Sequence, residues 1–537
     1  MSDSNIRYFS TRGGGGEETL GFEEVVFGGL APDGGLYVPT SLPTFPNDWQ
    51  TTWADYDFKQ LAFEVMSRFI PSSCIPHADL QSLIDSSYST FKTPLVTPLR
   101  QVGDSTWVLE LFHGPTLAFK DVALQFLGNL FSYFLSRRNK DAPTPEHLTV
   151  LGATSGDTGS AAIYGLRGKP HISCFILYPE GRVSPIQQAQ MTTVEDKNIF
   201  CVSVANSDFD ACQTVVKTLF SDNDFNNKHR LGAVNSINFA RILAQITYYV
   251  SAVLQLPKEK RDNVKFVVPS GNFGDALAGW YASKLMRLPS VKMVIATNEN
   301  DTVAQALKTG RYGRGGLDLS EQANETAVVN GSSDGKQSSK VKATHSPAMD
   351  ILLSSNFERL LFYLAQETGD GSRAGAQATL RGWMDELKRN GTVDLGNAVK
   401  EAASKDFVAE AVSDDETLEE IRQYYKLEKY GPYVVDPHTA VGLYGLRSQQ
   451  KTDHSGAWVS LSTAHPAKFS SAVEKALDKA TFSDFDFRRD VMPEEFKKME
   501  TMKQRIHRVD GEDGVRQLIE KVQRGDDNES HEHPASL

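Results

Sequence analysis

Residues 147–165 read HLTVLGATSGDTGSAAIYG. His147–Leu151 reads as a strand. Ala153–Gly159 is a glycine-bearing loop with hydroxyls at Thr154, Ser155 and Thr158, and the small residues after it open a helix. A strand passing through such a loop into a helix is one unit of a parallel α/β sheet.

The same order repeats on either side. Trp107–Phe112 predicts a strand, His113–Thr116 a turn, and Phe119, Val122, Phe126, Leu130 and Phe134 one face of a helix. Ile172–Leu177, Lys265–Val268, Val291–Ala296 and Ala457–Leu461 predict further strands. The second of these leads through PSGNFGD (269–275) into the helix ALAGWYASKLM. Residues 1–95 stand before this pattern as an N-terminal region. There Phe22, Val25, Val26 and Leu30 have helical spacing, and APDGGLYVP (31–39) reads as a turn into extended chain. Residues 310–345 are rich in Gly, Ser, Asn and charge, which predicts a disordered or loosely held insertion. Residues 524–537 predict a disordered tail.

The chain has 537 residues, which argues for more than one domain. Lys and Arg number 56 against 68 Asp and Glu, a net charge of −12. That balance argues against a nucleic-acid or anionic-membrane surface while allowing a local basic pocket. Four cysteines without a CxxC pair make neither a disulfide framework nor a cysteine-based metal site. His531 and His533 in the tail are expected to be solvated, and no metal is expected. The N-terminus has no apolar signal region, and Val122–Leu135 falls short of the roughly 20 apolar residues of a membrane span. A cytoplasmic protein, monomer or homodimer, is expected.

Ligands of open α/β sheets bind beyond the carboxyl ends of the strands. Three loops fall there. In HGPTLAFKD (113–121), Lys120 stands at a helix start, where the helix dipole and partial burial both disfavour an ammonium. Those conditions favour a nucleophilic amine able to form a Schiff base, although a lysine in a surface turn is the plainer alternative. In GATSGDTGS (152–160), the glycines and hydroxyls suit a carboxylate or phosphate, and the loop is not a Walker A sequence. In PSGNFGD, the GNFG run lacks dinucleotide spacing but can wrap a single phosphate with backbone N–H groups. One phosphate and one activatable lysine together suggest pyridoxal phosphate. In LSTAHPAKF (461–469), Ser462 and Thr463 offer neutral hydroxyls to a ring nitrogen, and His465 is expected to be structural. In NSINFAR (235–241), Asn238 and Arg241 lie about one helical turn apart, and Arg241 can clamp a phosphate or form an ordinary salt bridge.

With these motifs in place, the chain resembles the threonine synthase family. The likeness runs through STRG (10–13), GLAPDGGLYVP (29–39), ELFHGPTLAFKD (110–121), GATSGDTGSAA (152–162), PSGNFGD (269–275), SPAMDILLSSNFERLL (346–361) and STAHPAKF (462–469). It implies an α/β fold of the tryptophan-synthase-β-like type (fold type II), with parallel sheets flanked by helices and an extra N-terminal domain. On this reading residues 96–523 form the catalytic region, a large cofactor domain with an embedded smaller α/β domain near 145–255. The resemblance also implies conversion of O-phospho-L-homoserine and water to L-threonine and phosphate, with pyridoxal 5'-phosphate as cofactor. Lys120 matches the family's Schiff-base lysine. Gly271, Asn272, Phe273, Gly274 and Asp275 match the cofactor phosphate loop, and Thr463 the pyridine-nitrogen partner. Ser155 and Thr158 are candidates for the substrate carboxylate, Asn238 and Arg241 for its phosphate. Competing readings are a related lyase or dehydratase of a hydroxy- or phospho-amino acid, and a non-catalytic metabolite-binding homologue.

Overall fold

Two mainly parallel sheets carry most of the described strands. The computed structural model describes residues 5–14, 18–288, 291–313 and 341–525, with the backbone of 532–533. Among these residues the larger sheet is six-stranded, in the order Phe407–Ala411, Lys292–Thr297, Val264–Pro269, Ala457–Ser462, Thr106–Glu110, Leu99–Gly103. Every neighbouring pair is parallel except the last, which is antiparallel. The smaller sheet is five-stranded and wholly parallel, in the order His507–Val509, Ile199–Val204, Ile172–Pro179, Leu148–Ala153, Leu231–Gly232. Val264–Pro269 and Ile172–Pro179 are buried at every position, as expected of parallel strands covered by helices on both faces. This is the α/β architecture expected from the alternating pattern. The predicted insertion at 310–345 lies mostly outside the described residues, as does the tail beyond Gly525.

In the N-terminal region, Tyr8–Ser10 pairs antiparallel with Tyr37–Pro39. Helices Phe58–Met66 and His77–Tyr88 bury Leu61, Val65, Leu80 and Ile84 in the same core as the larger sheet. No described helix is long and apolar enough to cross a membrane. The four cysteines are free, and all but the half-buried Cys74 are buried.

The helix Lys120–Asn139 is buried on most of its circumference, because it packs against His77–Tyr88, Asp157–Leu166 and Phe239–Gln255 at once. Its crossing with Asp157–Leu166 is a glycine contact. A Cβ on Gly128 would overlap the Gly165 carbonyl, and one on Gly165 would lie 2.5 Å from the Leu124 carbonyl oxygen. Each glycine sits about two turns in from the start of its helix. The close approach therefore brings the two helix N-termini, with Lys120 and Asp157, into one place.

Candidate active site

The strands Val264–Pro269, Ala457–Ser462 and Thr106–Glu110 are parallel neighbours, so the loops after them converge. The loop after Glu110 is stitched to the loop after Ser462. Leu111 N donates to the Ser462 carbonyl at 3.0 Å, Phe119 N to that of Thr463 at 2.8 Å, and His465 N to that of Leu117 at 3.0 Å. Asp121 folds back on the turn, accepting from Thr116 N at 2.8 Å and Thr116 Oγ1 at 2.7 Å. Burial pushes its carboxyl up to about 6 despite those bonds. The turn so fixed leaves Lys120 as the first residue of its helix.

Lys120 Nζ lies 3.7 Å from Asp157 Oδ2. Burial lowers its ammonium below the ordinary lysine range. Asp157 opposes this, while the nearby cations of Lys468 and Arg241 add to it. Asp157 accepts from Lys468 Nζ at 2.8 Å and from Gln187 Nε2 at 2.9 Å, both on Oδ1. Burial would raise this carboxyl, but Lys468 and Lys120 prevail and hold it well below the usual carboxylate range. Sequence reasoning singled out neither Asp157 nor Lys468. Asp157 opens the helix after Leu148–Ala153 and Lys468 ends the turn after Ala457–Ser462, and that placement beyond strand ends was the only signal available.

In the loop before Asp157, the Thr154 hydroxyl is spent on the turn, accepting from Gly156 N at 2.9 Å and Gly159 N at 2.8 Å. Ser155 is exposed and Thr158 half-buried. Neither hydroxyl has a protein partner among the described residues, so both remain available to a ligand.

The first two carbonyls of the loop 271–275 are held by the protein behind it. Ser354 Oγ donates to the Gly271 carbonyl, and Asn356 donates to that of Asn272 through N at 3.1 Å and Nδ2 at 3.2 Å. A Cβ on Gly271 would sit 2.9 Å from the Ala348 carbonyl oxygen, so a side chain would press this loop off its support. Phe273 takes φ +62° and is buried against Phe357, 5.1 Å between ring centroids. The N–H groups of Asn272 to Ala276, at the start of the helix Gly274–Met286, meet no protein acceptor among the described residues. Such a run is an anion cradle. Asp275 belongs to it through its N–H alone. Its carboxylate, pushed up to about 6 by burial, accepts from Tyr248 and from Tyr249 Oη, the latter at 2.8 Å.

Arg241 is 4% exposed, and among the described residues its only protein acceptor is the Val234 carbonyl, at 2.9 Å from Nη1. Its Nε has no partner, and no carboxylate pairs with it among the described residues. Burial lowers the guanidinium to about 10, so it stays charged at neutral pH. The salt-bridge alternative is thus absent, and a buried cation without a counter-ion calls for an anionic ligand. Asn238 has a structural role. It is the N-cap of Phe239–Gln255, accepting from Ala240 N at 3.1 Å and donating to the Val26 carbonyl at 2.8 Å. This fully buried carboxamide holds the start of Arg241's helix through its oxygen and one N–H, and keeps its second N–H.

Of the two hydroxyls after Ala457–Ser462, Ser462 Oγ is bonded to Thr439 Oγ1 at 2.8 Å, whereas Thr463 Oγ1 has no protein partner among the described residues. His465 caps the turn Pro466–Lys468 through Nδ1, which accepts from Ala467 N at 3.2 Å. Burial, then Lys92, His113 and Lys468, lower its imidazole to about 3, so it is neutral. One aldehyde-seeking amine, one phosphate cradle and one neutral hydroxyl on adjacent strand ends are the donor set that pyridoxal phosphate requires.

Comparison with known proteins points the same way. The family model described as Threonine synthase N terminus matches residues 7–88, Pyridoxal-phosphate dependent enzyme matches 87–393, and Threonine synthase, C-terminal matches 439–519. The chain is 54% identical to a threonine synthase of Schizosaccharomyces pombe, over 92% of this chain and 93% of that one. It is 50% identical to one of Saccharomyces cerevisiae, over 96% and 97%. The crystal structure of threonine synthase from yeast superposes with TM-score 0.88 at 48% identity, covering 97% of this chain and 98% of that one. A threonine synthase from Brucella melitensis, solved with PLP bound, superposes with TM-score 0.83 at 36% identity, covering 97% and 100%.

Proposed function

Since this chain belongs to the threonine synthase family, we propose that it converts O-phospho-L-homoserine and water to L-threonine and phosphate through the residues described above. It is a pyridoxal-phosphate-dependent lyase. When bound, the cofactor supplies the electron sink that makes the substrate's carbon-bound hydrogens acidic.

The chain's own groups divide the remaining work. The N–H groups of Asn272 to Ala276 take the cofactor phosphate, and Lys120 Nζ takes its aldehyde. Thr463 Oγ1 would serve the ring nitrogen as a neutral donor or acceptor, which would leave that nitrogen less firmly protonated than a carboxylate would. Ser155 and Thr158 receive the substrate carboxylate, and Arg241 its phosphate. Lys120, returned to a free amine, removes the proton at Cα and then one at Cβ, whose electron pair expels phosphate from Cγ; protons return to Cγ and Cα, and water adds its hydroxyl at Cβ. Its depressed ammonium suits a group that must take a proton near neutral pH. We further propose a cytoplasmic enzyme, monomer or homodimer, without a nucleic-acid partner, in keeping with its acidic charge of −12.

The observation that carries this reading is a largely enclosed lysine, its side chain 12% exposed, on the same strand ends as a run of N–H donors without a protein acceptor among the described residues. The test is an absorbance spectrum before and after O-phospho-L-homoserine, with phosphate and threonine measured together. A visible cofactor band that changes with substrate, and both products, is expected. In Lys120→Ala turnover should fall by at least about 1,000-fold with the fold retained. A keto acid in place of threonine, or wild-type turnover in that variant, would refute the assignment.

A further inference from the structure

Lys120 and Lys468 share one carboxylate, and they share it unequally. Lys468 Nζ sits 2.8 Å from Asp157 Oδ1 and 2.9 Å from the Thr116 carbonyl, with its side chain fully buried. Both neighbours are acceptors, which fits an ammonium and fixes it in place. Lys120 Nζ stands 3.7 Å from the other oxygen of Asp157, longer than the roughly 2.7–2.9 Å of a charge-assisted bond. No other acceptor reaches it among the described residues. Lys468 is thus tied down on two sides, while the neighbouring amine is left loose.

We infer that Lys468 is a positioning residue: by occupying Asp157 it keeps that carboxylate from closing on Lys120, and so leaves the Lys120 amine unpaired for the cofactor aldehyde and the substrate proton. The inference rests on Lys120 being the cofactor amine. Lys120 is faced by Asp157, Lys468 and Arg241, each on a different element. Asp157 is faced by Lys468, Lys120 and His438. Lys468 lies near Asp121 and the neutral His465 as well. Without Lys468, Asp157 has one buried ammonium left to pair with, and an opposite charge at bonding distance favours the protonated amine.

The test follows cofactor uptake by the full-length chain stripped of pyridoxal phosphate, as growth of the visible band, across pH. In uptake a neutral amine adds to the aldehyde carbon and one water leaves as the carbon–nitrogen double bond forms, so the rate tracks the neutral fraction of Lys120. Lys468→Met should move the midpoint up by about one pH unit and slow uptake near neutrality about tenfold. Lys468→Arg keeps the charge and should stay near the wild-type midpoint, whereas a purely structural role would lose this distinction. Asp157→Asn should move the midpoint down, and it serves if Lys468→Met does not fold. An unmoved midpoint in either variant overturns the inference while leaving the role of Lys120 intact. Absence of a band in the wild-type protein overturns both.

Discussion

Arg241 carries a charge that nothing in the described protein balances. A buried guanidinium with one carbonyl for company is costly to keep, and the cost is recovered when an anion arrives. Arg241→Ala should therefore raise KM for O-phospho-L-homoserine by at least about 30-fold, with the cofactor band changed little. Titrating both ligands checks it, and equal losses for the two would remove Arg241 from the substrate site. The sequence showed Lys120 and Arg241 by residue type and position. It did not show what each would meet, because their partners come from other elements. Asp157 and Lys468 are individually ordinary residues of two loops, and only the fold makes them a pair. Asn238 has a second, structural role for a local reason. An asparagine immediately before the apolar run Phe239–Ala240 has the pattern of an N-cap, and the cap claimed its side chain.

At the scale of elements, the site depends on how near two helices can come. Gly128 and Gly165 set that approach, so Gly128→Ala should destabilise the protein by about 2–3 kcal/mol. It should also weaken cofactor binding, because Lys120 and Asp157 are carried apart. Denaturant melts and cofactor titration read the two effects, and unaltered cofactor affinity would mean that the crossing does not set the site. Some long strands were legible by their apolar runs, and Leu148–Ala153, Ile172–Pro179 and Ala457–Ser462 lie within two residues of expectation, but Leu99–Gly103, Ile199–Val204 and Phe407–Ala411 were not anticipated. Leu231–Gly232 and His507–Val509 were not, since two or three residues carry no periodicity. The loop 271–275 was legible by its glycines as a turn into a helix. The sequence could not reveal that Ser354 and Asn356 free its N–H groups by claiming its carbonyls.

At the scale of the molecule, distant segments brace the site. Arg359, wholly buried, donates to the Tyr37 carbonyl at 2.9 Å, the Ile237 carbonyl at 2.6 Å and Asn356 Oδ1 at 2.5 Å, so one side chain ties the N-terminal region to the phosphate loop's support. Arg12 and Thr11, in the STRG motif, hold Glu358 beside it at 2.7 Å each. At the other end, Val515 and Ile519 of the helix Gly511–Arg524 are buried in the core under the smaller sheet. Ile519→Ala should cost about 2–4 kcal/mol, and hydrogen exchange should rise across 148–232 while 264–297 stays protected. Uniform loss of protection over both sheets would show instead that they unfold as one. The strand His507–Val509 covers Ile199–Val204, which is buried along its whole length. During synthesis that apolar edge emerges about 300 residues ahead of its cover, which at about 5–20 residues per second is a wait of roughly 15–60 s. For that interval the nascent chain displays an open, sticky strand to its surroundings, so this half of the enzyme depends on what shelters it at the ribosome until the final segment arrives.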